Sequence, residues 1–247
     1  PRDVFVDSGS GLERVDVSFV DDEQVRRLAI RLAAAAGRRL DDAAPFVDGR
    51  LASGVRLHAV LAPVAAPGTC ISLRVPASRT FSLTDLVDAG SLPVEGAELL
   101  RAIVRRRVAY LVSGGTGGGK TTLLAAMLAL VPAEERIVLV EDARELVPAH
   151  PHCVRLEARP ANAEGAGAIT LTTLVRQALR MRPDRVVLGE VRGAELTDLL
   201  TALNTGHAGG SSTVHANSAV DVVARLEGLG ALGGLSRFAV TRLVAVA

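Results

Sequence analysis

Tyr110-Leu111-Val112-Ser113-Gly114-Gly115-Thr116-Gly117-Gly118-Gly119-Lys120-Thr121-Thr122 decides how the rest of this chain is read. An apolar run opens the stretch, a glycine-rich turn follows, and Lys120 begins a segment that reads as a helix. The spacing fits G-x-x-x-x-G-K-[ST] in the strand–turn–helix setting that gives that pattern its meaning. Glycines let backbone N–H groups approach phosphate oxygens with no Cβ in the way. The helix start adds unpaired N–H groups and the positive end of a dipole. Lys120 puts a compact charge on β- and γ-phosphates, and the Thr121 hydroxyl can ligate Mg2+. A glycine turn with no ligand has no need of Gly-Lys-Thr. Gly114, Gly115, Thr116, Gly117, Gly118, Gly119, Lys120, Thr121 and Thr122 are therefore the expected nucleotide contacts.

Outward from this loop, strands and helices alternate. Val108–Val112 reads as an apolar strand, with a helix at Val94–Arg107 before it and another after Lys120. A strand is expected at Arg136–Val140, a helix near Leu171–Met181, a strand at Arg185–Leu188, a helix near Ala194–Leu203 and a short strand at Ser211–His215. Such alternation predicts an α/β fold with a mainly parallel sheet covered on both faces.

The beginning of the chain has a different pattern. Val15–Phe19, Val55–Ala59 and Ile71–Val75 alternate apolar and polar residues as half-buried strands do, and Asp22–Ala36 has helical spacing ending at Gly37. These segments predict helices on one antiparallel sheet, with Arg56 and Arg74 on its polar face. Pro76–Gly90 reads as a linker. The expected division is an α+β domain over 1–78, a linker over 79–90 and an ATP-site domain over 91–247.

Ligands in open parallel sheets sit beyond the carboxyl ends of the strands. Two expected strands end in acids there, Val140-Glu141-Asp142 and Leu188-Gly189-Glu190. Glu141 is the candidate water-activating base, and Glu190 the candidate for the metal or water side. Either acid alone could instead be a helix cap or first-turn charge. Arg144, Arg155, Arg159, Arg176, Arg180, Arg182 and Arg185 lie between the two strand ends. Some could stabilise a transferring phosphoryl group, others simply form surface ion pairs. In the turn-rich segment Asn204–Ser218, His215 reads as a γ-phosphate sensor or as a residue positioning an acid, and His207 is the weaker candidate. No Cys, Asp or Glu joins the two histidines locally, so zinc is not expected.

Composition narrows the function classes. Among 247 residues there are 28 Lys+Arg and 27 Asp+Glu, a net charge of +1, and Lys120 is the sole lysine. A hydrophobic fraction of 49% is enough for a core and excludes disorder. Two cysteines, Cys70 and Cys153, exclude a disulfide scaffold. The longest apolar run, Leu123–Val131, is too short for a bilayer span, which takes about 20 residues. Five Phe, one Tyr and the near-neutral charge count against a single-strand nucleic-acid motor. Polar Pro1-Arg2-Asp3 and the abrupt end at Ala247 give the expectation of a cytoplasmic chain shortened at both ends.

The combination resembles the ATPases of the type II/type IV secretion superfamily, most of all the tight-adherence (Flp-type) pilus ATPases of the TadA/CpaF kind. The likeness rests on Gly114–Thr122 as the Walker A loop and Val140–Leu146 as the Asp box. It rests equally on Ala178–Arg185 leading into Gly189–Gly193 as Walker B, and on Thr205–Asn217 as the His box. The resemblance implies a RecA-like P-loop NTPase domain preceded by a small PAS-like α+β domain. It implies ATP and Mg2+ as cofactors, a homo-hexameric ring, and work on an inner-membrane pilus or secretion platform protein. The implied location is the cytoplasmic face of the inner membrane, with no membrane span and no nucleic-acid partner. It carries over Lys120 and Thr121 as phosphate and Mg2+ groups, Glu141 as general base, Glu190 as the Walker B acid and metal-side residue, and His215 as the His-box residue. Arg56 and Arg74 fit the arginines by which the N-terminal domain reaches the nucleotide. Gly118 departs from the family's usual Ser, which removes no catalytic group. A type IV secretion or conjugal-transfer ATPase, a hexameric nucleic-acid motor and a nucleotide-binding scaffold without turnover are the alternatives. Lys120, Thr121, Glu141 and Glu190 are all present, which disfavours the scaffold.

Overall fold

A computed structural model describes residues 3–76, 80–161, 165–206 and 208–246. His207 and part of the expected linker lie outside them. The chain packs as two compact units, Pro1–Ser78 and Arg79–Ala247.

The first unit opens with β1 (Asp3–Asp7) and β2 (Leu12–Ser18), an antiparallel pair that forms its own two-stranded sheet. Helix α1 (Asp22–Ala35) follows, capped by Asp21, whose side chain accepts from the Gln24 N–H. Strands β3 (Phe46–Arg50), β4 (Arg56–Val60) and β5 (Cys70–Arg74) form a three-stranded antiparallel sheet in that order. Ala29 and Ala33 of α1 pack with Leu40, Val47, Leu57, Ala59 and Leu61. Asp22 accepts from the Thr69 N–H at 2.7 Å, tying the helix start to the segment entering β5. The single sheet expected from sequence is thus two sheets. Val15 and Val17 alternate with charges, yet β2 lies mostly exposed on both faces and, among the described residues, pairs only with β1. Strand β3 escapes the pattern reading because Val47 is its one buried side chain, and Gly49 lies under Ala36, whose Cβ would be 3.0 Å from a Cβ there.

The second unit contains α2 (Leu83–Asp88), α3 (Val94–Arg105), β6 (Tyr110–Gly114), α4 (Lys120–Leu128), β7 (Ile137–Glu141), β8 (Cys153–Glu157), α5 (Leu171–Leu179), β9 (Arg185–Val191), α6 (Glu195–Asn204), β10 (Ser211–His215), α7 (Asp221–Leu232) and α8 (Arg237–Val246). Its five strands are all parallel, in the order β6-β10-β9-β7-β8. The expected linker is partly structured: Ser82 and Asp85 form a reciprocal capping box that starts α2.

Two cores flank the sheet. Ile137, Leu139 and Val187 pack with α2, α3 and α4, and Val138, Val140, Val186, Leu188 and Val214 pack with α5 to α8. Burial on both faces explains why β7 and β9 read as unbroken apolar runs. Leu124–Leu128 in α4 is buried throughout for the same reason. Among the described residues no helix is long and apolar enough to cross a membrane.

Candidate nucleotide site

Strand order alone gathers the expected residues of the second unit. The strands are parallel, so their carboxyl ends lie side by side, about 4.8 Å apart. Gly114 ends β6, His215 ends β10, Glu190 lies at the end of β9 and Glu141 ends β7, in that spatial sequence. His215 is the direct partner of Gly114 in the β10–β6 ladder.

The loop between β6 and α4 has the backbone that phosphate binding requires. Gly117 and Gly119 adopt φ of +74° and +77°, which side-chain-bearing residues avoid. Gly119 caps α4 without a side-chain hydrogen bond, so the chain leaves the first helical N–H groups for another acceptor. Lys120 Nζ donates to the carbonyls of Gly114 (2.9 Å) and Gly115 (2.7 Å). An ammonium has three donors, so one remains for a phosphate oxygen while the other two hold the lysine over the loop. The Thr121 hydroxyl, half-buried one residue further on, has no protein partner among the described residues. This donor set fits a Mg2+-bound triphosphate.

Glu141 ends β7, as expected, and is buried there. Its side chain is 3% exposed. Its Oε1 accepts from the N–H groups of Glu145 and Leu146, both at 2.8 Å, and its Oε2 accepts from Arg155 Nη2 at 3.1 Å. Three donors hold the carboxylate in place, and Oε2, with one bond, keeps a second acceptor site. These three bonds fix the carboxylate at the end of β7 and tie the loop at 145–146 back to that strand. The exposed carboxylates of that loop are Asp142 and Glu145.

Glu190 is half-buried, and Arg192 Nη2 donates to its Oε2 at 2.6 Å. The other arm of Arg192 lies 3.9 Å from Asp142. The hydrogen bond to Glu190 raises the Arg192 guanidinium above its ordinary value, against an opposing effect of burial, and the charges of Asp142 and Glu145 add to it. Arg192 thus links the ends of β9 and β7. Glu195 pins the turn that carries it, accepting from the N–H groups of Arg192 (2.6 Å) and Gly193 (2.7 Å).

Most of the seven arginines have structural partners. Arg185 is 1% exposed and donates to Glu135 (2.7 Å) and to the Val104 carbonyl (2.9 Å), at the strand ends opposite the phosphate loop. Arg144 pairs with Glu157 and Arg176 with Asp198, both at 3.0 Å. Arg159 donates to the Gly167 carbonyl. Arg180 and Arg182 are exposed. Arg56 and Arg74 lie in the first unit, directly opposite each other in the β4–β5 ladder. Sequence reading missed Arg192, which falls just outside the interval searched. It also missed β8, whose signal was the short alternation Cys153-Val154-Arg155-Leu156-Glu157.

A family profile described as type II/IV secretion system protein matches residues 1–245. The chain is 60% identical over 253 aligned residues to a putative conjugal transfer protein of Mycobacterium tuberculosis, covering 100% of this chain and 72% of that protein. It is 36% identical over 249 residues to the type IV secretion system protein PtlH of Bordetella pertussis, covering 92% of this chain and 73% of the relative. Among solved structures it is similar to the VirB11 ATPase of the Brucella suis type IV secretion system, in complex with sulphate. The TM-score there is 0.55 at 27% identity, over 99% of this chain and 82% of that one.

Proposed function

Because the chain belongs to the type II/IV secretion system protein family, we propose that it is the ATP-hydrolysing motor of a secretion or pilus-assembly machine. The chain is an ATPase with a RecA-like P-loop domain. One observation carries the reading furthest: the sole lysine of the chain lies over the phosphate loop, on the strand-end surface that also bears His215 and Glu190.

In this reading Gly114–Thr122 cradles the phosphates of ATP, and the free donor of Lys120 meets the β- and γ-oxygens. Thr121 and Glu190 would hold Mg2+, which draws charge from the γ-phosphate when bound. Arg192 occupies Oε2 of Glu190 at 2.6 Å, which leaves Oε1 for that task. Water activation falls to Glu141 at the end of β7, whose carboxylate is held by the N–H groups of Glu145 and Leu146 and by Arg155. His215, across from Gly114, is placed to sense the γ-phosphate. Arg56 and Arg74 are the first unit's candidates for further phosphate contacts.

The motor would act as a homo-hexamer at the cytoplasmic face of the inner membrane, on a platform protein. The motif likeness points to a tight-adherence pilus. A second reading, a type IV secretion or conjugal-transfer ATPase, is favoured by the names of the M. tuberculosis and B. pertussis relatives. ATPase rates measured with the cytoplasmic part of a tight-adherence platform protein, with type IV secretion channel components, and with DNA separate the two. Stimulation by the platform alone supports the pilus reading, and stimulation by the channel components supports the second. Strong stimulation by DNA alone sinks both. Light scattering with a non-hydrolysable ATP analogue should give the mass of a hexamer; a monomer under all conditions would remove the ring.

A further inference from the structure

We infer that Thr213 is a positioning residue for ATP hydrolysis, its hydroxyl holding the bulge in β9 that presents Glu190 to the nucleotide site. The inference rests on the reading of Glu190 as the metal-side acid and goes beyond it in naming what aims that side chain.

Strict alternation along β9 would bury Glu190. Val186 and Leu188 pack in the core on the α5–α8 side of the sheet, and Val187 packs on the other side. A regular strand would place residue 190 with residues 186 and 188. Val191 takes that place instead and packs in the same core. The phase changes because the β10–β9 ladder is irregular. Ser212 pairs with Leu188 and Val214 with Val191, so two steps along β10 match three along β9. The extra residue falls within Gly189-Glu190, which also lie beyond the last β9 pair with β7, that of Leu188 with Val140. Bulges re-aim side chains and are rare between parallel strands. Here the bulge spares a carboxylate the cost of an apolar core and leaves Glu190 half-buried at the strand end.

Two contacts bracket the bulge. On the β7 side the glycine backbone already lies against Glu141, since a Cβ on Gly189 would come 2.9 Å from Glu141 Cγ. On the β10 side Thr213 Oγ1 donates to the Gly189 carbonyl at 2.7 Å. Thr213 is the residue that the bulged ladder skips, between the paired Ser212 and Val214. It is paired on its other side with Val112 of β6, so its backbone is fixed independently of β9. Its side chain is 2% exposed, which keeps water from competing for the bond. Thr213 thus ties the carbonyl just before Glu190 to the strand that ends in His215. Without the hydroxyl, that carbonyl loses a partner and the 189–190 peptide is free to turn. Such a turn moves Glu190 relative to the phosphate loop, and displacing a reacting group by about 1 Å costs about 100-fold in rate.

Three variants of the whole chain test this: Thr213→Val, Thr213→Ser and Glu190→Gln. Valine keeps the branched shape of threonine and removes the hydroxyl, and serine keeps the hydroxyl. Each variant is measured for melting temperature, for affinity to a fluorescent ATP analogue, and for kcat as a function of Mg2+. Hydrogen exchange without nucleotide is followed in peptides spanning residues 187–193. Thr213→Val should bind the analogue within about twofold of wild type, lose about tenfold or more in kcat and require more Mg2+. Its exchange should be faster at 187–193 but not in α4. Thr213→Ser should restore kcat, Mg2+ requirement and protection toward wild type. Thr213→Ala, read by the same criteria, replaces Thr213→Val if the valine variant does not fold. Wild-type kcat and Mg2+ requirement in Thr213→Val overturn the inference. So does a lost kcat with unchanged exchange, and so does Thr213→Ser as impaired as Thr213→Val. Glu190→Gln with wild-type turnover defeats the reading of Glu190 as the metal-side acid, while exchange at 187–193 still reports whether Thr213 holds the bulge.

Discussion

Gly189 packs against Glu141 so closely that a single added carbon on the glycine would lie 2.9 Å from Glu141 Cγ. Glu141 cannot give way, since three donors hold its carboxylate in a buried site. Gly189→Ala should therefore destabilise by about 1–3 kcal/mol, as overpacking does. It should lower turnover more than ATP binding, because the strain falls between the two acidic strand ends. Thermal melts and ATPase rates check this; a variant with wild-type melting and turnover would show that the strand ends can separate freely.

Lys120→Ala should reduce hydrolysis by about 100-fold or more while leaving the fold intact, because the ammonium's work is electrostatic and its protein contacts are loop carbonyls. Circular dichroism and an ATPase assay together test this. Lys120 also offers a chemical test: amine-directed labelling should modify it, and bound ATP should protect it. Labelling indifferent to ATP would count against the phosphate-loop assignment.

Glu190→Gln should bind ATP and fail to turn it over. Arg192→Ala should behave differently, since it frees Glu190 from a 2.6 Å ion pair while removing a cation from among Glu190, Asp142 and Glu145. Its expected signature is a changed Mg2+ requirement with ATP still bound. Titrating Mg2+ against ATPase rate for both variants reads the difference, and coincident curves would detach Arg192 from the acid.

Arg56→Ala and Arg74→Ala should each lower turnover without changing the stability of the second unit. They stand side by side in one ladder, so the double variant should cost more than either alone. Wild-type rates in all three would remove the first unit from the chemistry.

The Glu135–Arg185 pair predicts an acid-sensitive fold. Burial pushes the Glu135 carboxyl up, but hydrogen bonds from Arg185 and Arg107 outweigh it and hold the group below the ordinary glutamate range. A lowered folded-state pKa stabilises above the unfolded value of about 4.3, and that contribution is lost as pH falls through the folded one. Glu135→Gln should melt lower than wild type at neutral pH, and the difference should shrink on acidification below about pH 4. A difference independent of pH would mean that the pair is not the cause. Arg185→Ala leaves Glu135 a poorly compensated charge and should cost about 3–5 kcal/mol.

The phosphate loop was readable because its chemistry is local. Strand, glycine turn, lysine and helix lie within thirteen consecutive residues, Tyr110–Thr122, and each residue type answers to a contact its neighbours set up. The parallel sheet was readable for a related reason: β7 and β9 are buried on both faces and must be apolar throughout. Strands β1, β3 and β8 were not, because each is short and largely exposed or half-buried, and periodicity needs a buried face to show itself.

The roles of the acids divide in the same way. Sequence placed Glu141 and Glu190 at strand ends, where ligands sit, and offered each a role without showing what holds it. How the Glu141 carboxylate is held depends on Arg155, fourteen residues after it, and on the folding back of the loop at 145–146. Sequence likewise offered seven arginines as equals, and only packing showed that Arg185 belongs to a buried pair with Glu135, fifty residues away. Local order along the chain determined the nucleotide chemistry of this protein, because phosphate is bound by consecutive backbone groups. Tertiary structure alone decided which partners hold each carboxylate, because burial and pairing of a charge are set by residues that only folding brings together.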